Sequence, residues 1–218
     1  RKSELDALQS QINPHFLYNT LESITWMVEG ERNDDAAFMI TQLAKLFRIS
    51  LSKGNTVIAV RDELQHAQSY MNIQKVRYKN TFSVEFDVDR EVCSYCTVKL
   101  ILQPILENAI NYGVSGMDDC GEIRVTGRIE GGKVILAVED NGIGMSEEQV
   151  RLLLTDSGRE HKHGSGVGLV NVNNRLQLLF GKEYGLTVES EPDEGTKVFI
   201  CTPAILYTEE NRKILEKG

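Results

Sequence analysis

A short acidic and glycine-rich stretch in the second half of the chain carries residue types suited to binding a nucleotide base. DNGIGM (140–145) sets Asp140 at the end of a strand-like run and follows it with Gly142 and Gly144. The carboxylate could accept a hydrogen bond from an exocyclic amine, and the two glycines let backbone approach a ligand closely. Alone, the same stretch is equally typical of a simple turn.

A second glycine-rich stretch opens a predicted helix. GSGVGLVNVNNRL (164–176) places Gly164, Gly166 and Gly168 at the start of an apolar-periodic run. The free amide groups at a helix N-terminus form an anion site, so this stretch is a candidate cradle for phosphates. By itself such an opening is more often packing or a turn.

A third stretch, LENAINYG (106–113), supplies a candidate metal ligand. Asn108 falls on a predicted helix, with Asn111 and Tyr112 one turn later. A carboxamide oxygen can ligate a Mg²⁺ ion that bridges phosphates, although an ordinary buried amide is the alternative. The order of the three stretches raises the weight of each, because together they would supply base, metal and phosphate contacts.

A nucleophile stands near the start of the chain, in QINPHFLYNT (11–20). Apolar residues at spacings of three and four predict a helix from Ser3 to about Glu29, with a kink at Pro14 that exposes His15. A neutral imidazole is nucleophilic near physiological pH, and Asn19 lies one turn later on the same face. A solvated surface histidine is the alternative, which the downstream nucleotide stretches make less favoured.

Helices dominate the first third of the chain. A second amphipathic run over 36–51 predicts an antiparallel helical hairpin, and a third helix is predicted over 61–78. A hairpin exposes more apolar surface than it covers. We therefore expect it to pair with a second copy, as a homodimer with a four-helix bundle.

The remainder alternates between strands and helices, so the predicted fold class is α+β, with helices on one face of a largely antiparallel sheet. The predicted elements are a strand over 81–89, a helix over 98–112, a strand hairpin over 121–140 around Gly131-Gly132, helices over 146–154 and 166–180, and a strand pair over 186–190 and 196–201.

Composition excludes some classes of function. The net charge of -8 over 218 residues argues against a nucleic-acid surface. No run approaches the roughly 20 apolar residues that cross a bilayer, and the charged start has no secretory signal, so we expect a cytoplasmic fragment whose upstream sensor and membrane segments are absent, from a protein of the inner or plasma membrane. Cys93 and Cys96 form a lone CxxC; reduced thiols are favoured over a zinc site.

The ordered motifs resemble the ATP-binding domain shared by histidine kinases, Hsp90, gyrase-type topoisomerases and MutL. QINPHFLYNTL resembles the phosphoacceptor segment of sensor histidine kinases of the LytS class, and the two resemblances cover roughly residues 8–202. The resemblance implies ATP and Mg²⁺ as ligands, with His15 as phosphoacceptor, Asn108 on the metal and Asp140 on the adenine amine. It also implies contacts to base and phosphates from Asn111, Tyr112, Gly142, Gly144, Gly164, Gly166, Gly168 and Leu169. The class usually has His-Gly where this chain has Tyr112-Gly113.

The resemblance also implies how the chain is divided. The predicted divisions are phosphoacceptor and dimerisation helices (1–58), a connecting helix (59–80), an ATP-binding α/β sandwich of the histidine kinase and Hsp90 type (81–204) and a solvated helical tail (205–218).

The function that the resemblance implies is a two-component histidine kinase, which phosphorylates itself on His15 and passes the phosphoryl group to an aspartate of a response-regulator receiver domain. Two alternatives stay open: an ATPase of the same fold that drives conformational change, and a pseudokinase that only dimerises. The hairpin ahead of the ATP-binding stretch favours the kinase over the first. The presence of Asn108, Asp140 and all five glycines of the two glycine-rich stretches favours it over the second.

The base that accepts the imidazole proton is less clearly marked. Many histidine kinases carry an acidic residue directly after the histidine, whereas Phe16 stands there in this chain. Glu22 and Glu107 are the candidates, and Glu107 adjoins the predicted metal ligand. TDSGREHKHGSG (155–166) resembles a short lid over ATP, and Arg175 is expected to form a structural salt bridge.

Overall fold

The structure, a computed structural model, describes residues 13–155 and 165–218, apart from the side chains of residues 53 and 165–167. Its first helix, α1, is Pro14–Glu29. Asn13 is extended at the N-cap, and its side chain accepts a hydrogen bond from the His15 amide. The predicted kink is therefore wrong: Pro14 is the first helical residue, where its missing N–H costs nothing. The predicted helical residues before Asn13 lie outside the described part.

The second helix, α2 (Asn33–Leu51), forms the predicted hairpin with α1. Phe16, Ile24 and Met27 of α1 are buried, as are Met39, Leu43 and Leu46 of α2. Leu21, Phe38 and Ile40 belong to the apolar periods of these helices, but each is about half exposed. The hairpin therefore keeps a second, uncovered apolar surface.

The third helix, α3 (Val60–Arg77), packs against both the hairpin and the second half of the chain. It follows a short strand, β1 (Val57–Ala59), which pairs antiparallel with β3 (Cys96–Val98). The sequence did not indicate either strand, because three residues are too few to show a period. The predicted division between hairpin, connecting helix and ATP-binding part stays a prediction.

The main sheet of the described residues has the strand order β2-β4-β5-β7-β6. The strands β2 (Phe82–Val88) and β4 (Gly121–Glu130) pair parallel, whereas β5 (Lys133–Asp140), β6 (Gly185–Glu191) and β7 (Gly195–Pro203) pair antiparallel with their neighbours. The predicted hairpin turn at Gly131 and Gly132 is confirmed, with φ of 55° and 75°. Buried and exposed residues alternate along most of β4, as expected for a sheet covered on one face.

Helices cover that face: α4 (Leu102–Asn108), α5 (Glu147–Leu153) and α6 (Ser165–Phe180). The predicted helix over 98–112 is wrong at its start. It begins only at Leu102, because Val98 belongs to β3 and Leu100 has φ of 62°. After Asn108 the chain continues as a π-helix, Ala109–Val114. Ser146 and Gln149 form a capping box at the start of α5, and the predicted α+β fold class is confirmed.

The last helix, α7 (Glu209–Lys217), has no buried residue, as expected for a solvated helical tail, but it also contacts the first half of the chain. Glu216 Oε1 accepts hydrogen bonds from the backbone amides of Thr56 and Val57 at 2.7 and 2.9 Å. Arg212 donates to Asn55 Oδ1 at 3.0 Å. The tail therefore holds the segment that leads from the hairpin into α3. Among the described helices, none combines the length and apolar character that a bilayer span requires.

Candidate functional site

Asp140 is the last residue of β5 and lies between Ile123 of β4 and Thr196 of β7. Its side chain is buried, and Oδ1 accepts a hydrogen bond from the Gly142 amide at 2.9 Å. Burial raises the pKa of this carboxyl to about 6, against the opposing hydrogen bonds from the backbone. A carboxylate is costly to bury, so an acceptor held here at the end of a central strand is a candidate for ligand recognition.

Gly113 lies directly against Asp140. A Cβ added to Gly113 would lie 2.7 Å from both Cγ and Oδ1 of Asp140. The carbonyl of Gly113 also accepts a hydrogen bond from the Ile143 amide at 3.3 Å. The π-helix and the loop after β5 therefore meet at a point where no side chain fits.

Gly142 and Gly144 were expected to let backbone approach a ligand, but their close approach is to the protein itself. A Cβ on Gly142 would overlap the backbone of Gly113, and one on Gly144 would overlap the carbonyl of Glu191. Gly144 also has φ of 70°. Because these glycines lack side chains, the loop can pack closely between the π-helix and the β6–β7 turn. Any contact of theirs with a ligand stays a prediction.

Asn108, the predicted metal ligand, is the last residue of α4 and is 8% exposed. Asn111 and Tyr112 follow on the π-helix, where Asn111 Oδ1 accepts a hydrogen bond from the Tyr78 hydroxyl at 3.3 Å. Tyr112 is 44% exposed. A π-turn at this place is typical of functional sites, because it shifts the side chains that follow it out of α-helical register.

The second glycine-rich stretch is described only in part. Gly164 lies outside the described residues, as do the predicted lid residues His161 and His163. Gly166 falls in the first turn of α6, and Gly168 faces Pro104 of α4, with 3.4 Å between Pro104 Cβ and an added Cβ. Leu169 is fully buried. The described part thus packs α6 on α4; its phosphate contacts stay a prediction.

His15 is exposed in the first turn of α1. The side-chain amide nitrogen of Asn19 lies 3.2 Å from His15 Nδ1 and 3.4 Å from Nε2, so the structure brings together the two residues that the sequence paired. Asn19 and Glu22 also line a groove of about 870 Å³ between α1 and the end of α3.

Glu107 lies beside the segment that carries His15. Asn13 Nδ2 is 3.4 Å from Glu107 Oε1, across 94 residues of sequence. Burial raises the pKa of the Glu107 carboxyl, while Asn13, Arg77 and His15 lower it. The contact of Asn13 with Glu107 therefore joins the segment of the predicted acceptor to the helix that carries Asn108.

Glu63 is a residue of this region that sequence reasoning missed. It is fully buried on α3, and its two carboxylate oxygens accept hydrogen bonds from the amides of Leu100 and Ile101 at 2.9 and 3.0 Å. Burial raises its pKa to about 7, opposed by those hydrogen bonds and by Arg175. The sequence signal that could have identified Glu63 is its position on the apolar face of the predicted third helix.

Arg175 has a structural role, as expected, but its hydrogen bonds go to backbone carbonyls. It donates to Lys99 at 2.6 Å and to Leu100 at 3.4 Å. Together, Glu63 and Arg175 hold the segment before α4 between α3 and α6. We call Glu63, Arg175 and residues 99–101 together the clamp.

The cysteines are free thiols, including the CxxC pair Cys93 and Cys96. Within residues 13–155 and 165–218, no group of three His, Cys, Asp or Glu side chains is arranged to hold a metal ion.

Comparison with known proteins matches two family models in the order that the fold presents. Residues 3–82 match the histidine kinase family, and residues 97–205 match the histidine kinase-, DNA gyrase B- and HSP90-like ATPase family. The second match covers half of the chain. The chain therefore belongs to the histidine kinase-, DNA gyrase B- and HSP90-like ATPase family, and its first part matches the histidine kinase family.

Its relatives include the sensor histidine kinase YesM of Bacillus subtilis, which is 38% identical over 93% of this chain and 34% of its own length. The sensor protein LytS of Bacillus anthracis is 32% identical over 95% of this chain and 35% of its own length. The chain thus spans about a third of these relatives.

Among solved structures, the histidine kinase domain of the blue-light activated histidine kinase from Erythrobacter litoralis EL346 aligns over 98% of this chain and 97% of its own. The TM-score is 0.51 and the sequence identity 18%, which shows a shared fold.

Proposed function

We propose that this chain is the kinase core of a two-component sensor histidine kinase. In this proposal it transfers the γ-phosphoryl group of ATP to His15 and then to an aspartate on a response-regulator receiver domain. The observation that carries the proposal is the contact of Asn13 with Glu107 at 3.4 Å, which places the segment of His15 against the helix of Asn108.

The nucleotide side of the proposal rests on the surroundings of Asp140. The Gly142 amide donates to Oδ1, and the Thr196 backbone is close enough to lower the pKa of the carboxyl. A carboxylate offers about four acceptor positions, so capacity for an adenine amine remains beside these backbone neighbours. Tyr112, which is 44% exposed on the π-helix, would stack on the base, with Asn111 beside it.

The phosphate side of the proposal rests on Asn108 and the start of α6. The Asn108 amide is nearly buried at the end of α4 and has an oxygen of the kind that Mg²⁺ accepts, so the residue fits a metal ligand. Mg²⁺, when bound, neutralises negative charge on the phosphates of ATP. Gly142 and Gly144 would border the base, and Gly164, Gly166, Gly168 and Leu169 would lie near the phosphates, through the amides that open α6.

The reaction at His15 needs an oriented imidazole and a base. An unprotonated ring nitrogen attacks the γ-phosphorus, the bond to the β,γ-bridging oxygen breaks, and its electron pair leaves with ADP. The proton on the other ring nitrogen then passes to Glu107, whose pKa is raised by burial and which is therefore a stronger base than an exposed glutamate. Asn19, 3.2 Å from Nδ1, orients the ring.

The uncovered apolar surface of the hairpin supports a homodimer. Large apolar residues of α1 and α2 remain between 45% and 71% exposed, namely Tyr18, Leu21, Trp26, Val28, Phe38, Ile40 and Leu51. Exposed apolar surface on this scale is typical of an interaction site. We propose that two hairpins pair into a four-helix bundle, and that the chain is the cytoplasmic portion of a membrane sensor.

Incubation with γ-labelled ATP and Mg²⁺ tests the proposal. We expect label on the protein that is lost in acid and retained in base, and that is absent from the Asn108→Asp variant. A conformational ATPase of the same fold would instead release labelled inorganic phosphate without a labelled protein. A pseudokinase would give neither, and either result would refute the kinase assignment.

A further inference from the structure

We infer that each chain phosphorylates its own His15, so that transfer runs within one subunit rather than across a dimer. This inference rests on the proposed function and adds its direction. The carrying observation is that the acceptor segment and the helix of Asn108 in a single chain already meet, through Asn13 Nδ2 and Glu107 Oε1. Asn108 is the residue next to Glu107.

A second contact fixes the start of α1 against α3 of the same chain. The rings of Phe16 and Tyr70 pack at a centroid distance of 5.1 Å, and both residues are buried. Tyr70 is held in turn by a hydrogen bond of 2.9 Å from Gln74 Nε2. The residue directly after His15 is therefore anchored in the core of its own subunit.

The clamp fixes α4 against α3 from the other side. Glu63 binds the amides of Leu100 and Ile101, which directly precede α4, and it is fully buried. Arg175 holds the same segment from α6. Because α3 carries both the Phe16 contact and the clamp, the distance from His15 to Asn108 is set inside one chain.

Differently tagged pairs of variants decide the direction. One dimer joins His15→Gln with Asn108→Asp, and the other joins the wild-type chain with the double variant His15→Gln/Asn108→Asp. Each mixed dimer is co-expressed and purified through both tags in sequence, then incubated with γ-labelled ATP and Mg²⁺. The wild-type homodimer is the reference.

Transfer within a subunit predicts no label on the first mixed dimer and about half the label per chain of the reference on the second, since one of its two chains is intact. Label on the first and none on the second would overturn the inference while leaving the kinase assignment in place. An unlabelled wild-type homodimer would instead count against the proposed function itself. If the two tags do not co-purify, a labelled monomeric wild-type chain supports transfer within one chain, provided that the labelling rate per chain does not change on dilution.

Discussion

The carboxylate of Asp140 lies directly against the α-carbon of Gly113, so that a Cβ at position 113 would come within 2.7 Å of Asp140 Cγ. This relationship joins the end of the central strand β5 to the π-helix that follows Asn108. The stretches LENAINYG (106–113) and DNGIGM (140–145), which the β4–β5 hairpin separates in sequence, therefore form one surface.

Gly113→Ala should disturb that surface. The added methyl group must displace the Asp140 carboxyl, and overpacking of this kind costs about 1–3 kcal/mol. We expect the affinity for Mg-ATP to fall by about tenfold, measured by isothermal titration calorimetry. Gly116→Ala is the matched control, because an added Cβ there has open space around it. Equal affinities for the two variants would contradict the role of Gly113.

Asp140→Asn should change the dependence of stability on pH. Burial raises the pKa of Asp140 from 3.8 to about 6. Between pH 3.8 and about 6 the carboxyl is still protonated in the folded state but ionised in the unfolded state. The free energy of unfolding of the wild type therefore falls as the pH rises through this range. Relative to wild type, the variant should gain on the order of 2–3 kcal/mol in free energy of unfolding between about pH 4 and pH 7.

Urea denaturation at a series of pH values measures this difference, and nucleotide binding is measured alongside it. We expect the variant to bind Mg-ATP more weakly even where it is relatively more stable. A constant difference between the two proteins across this pH range would show that the Asp140 carboxyl is not desolvated in the folded state.

Asn13→Asp should slow labelling of His15. Aspartate still caps α1, because its carboxylate can accept a hydrogen bond from the His15 amide. It also places a negative charge against Glu107, and the repulsion should separate the segment of His15 from α4. We expect the initial rate of labelling to fall by about tenfold, on the order of 1.4 kcal/mol, with the affinity for Mg-ATP unchanged. Asn13→Ser, which caps without the added charge, is the control. Wild-type kinetics in Asn13→Asp would leave the contact without a role.

Glu63→Ala should destabilise the fold through the clamp. It leaves the buried amides of Leu100 and Ile101 without their acceptors, at a cost of about 3 kcal/mol. Glu63→Gln keeps one acceptor oxygen and should lose less. The neighbouring Asp62→Ala, at a less buried position of the same helical turn, should lose less than about 1 kcal/mol. Chemical denaturation compares the three, and similar losses for Glu63→Ala and Asp62→Ala would rule out the clamp.

Local signals were enough for much of the fold. The β4–β5 hairpin was predictable because Gly131 and Gly132 can both adopt positive φ, and α5 because Ser146 and Gln149 form a capping box. The pairing of β1 with β3 was not predictable, since each strand has three residues and the partners lie about 40 positions apart.

The residue types of the candidate site could be read from the sequence, but the contacts that join those residues could not. Asn19 does lie beside His15, four residues away on one helix. The contact of Asn13 with Glu107 spans 94 residues and has no local pattern. Gly142 and Gly144 were predicted to lie close to a ligand, whereas the close approach that the structure shows is to the protein's own backbone at the π-helix and the β6–β7 turn.

The identity of the phosphorylated residue is the most direct test of the account. His15→Gln and the double variant His161→Gln/His163→Gln are each incubated with γ-labelled ATP and Mg²⁺, after calorimetry has shown that both still bind the nucleotide. We expect no acid-labile label on His15→Gln and acid-labile label on the double variant. Acid-labile label retained on His15→Gln would contradict it.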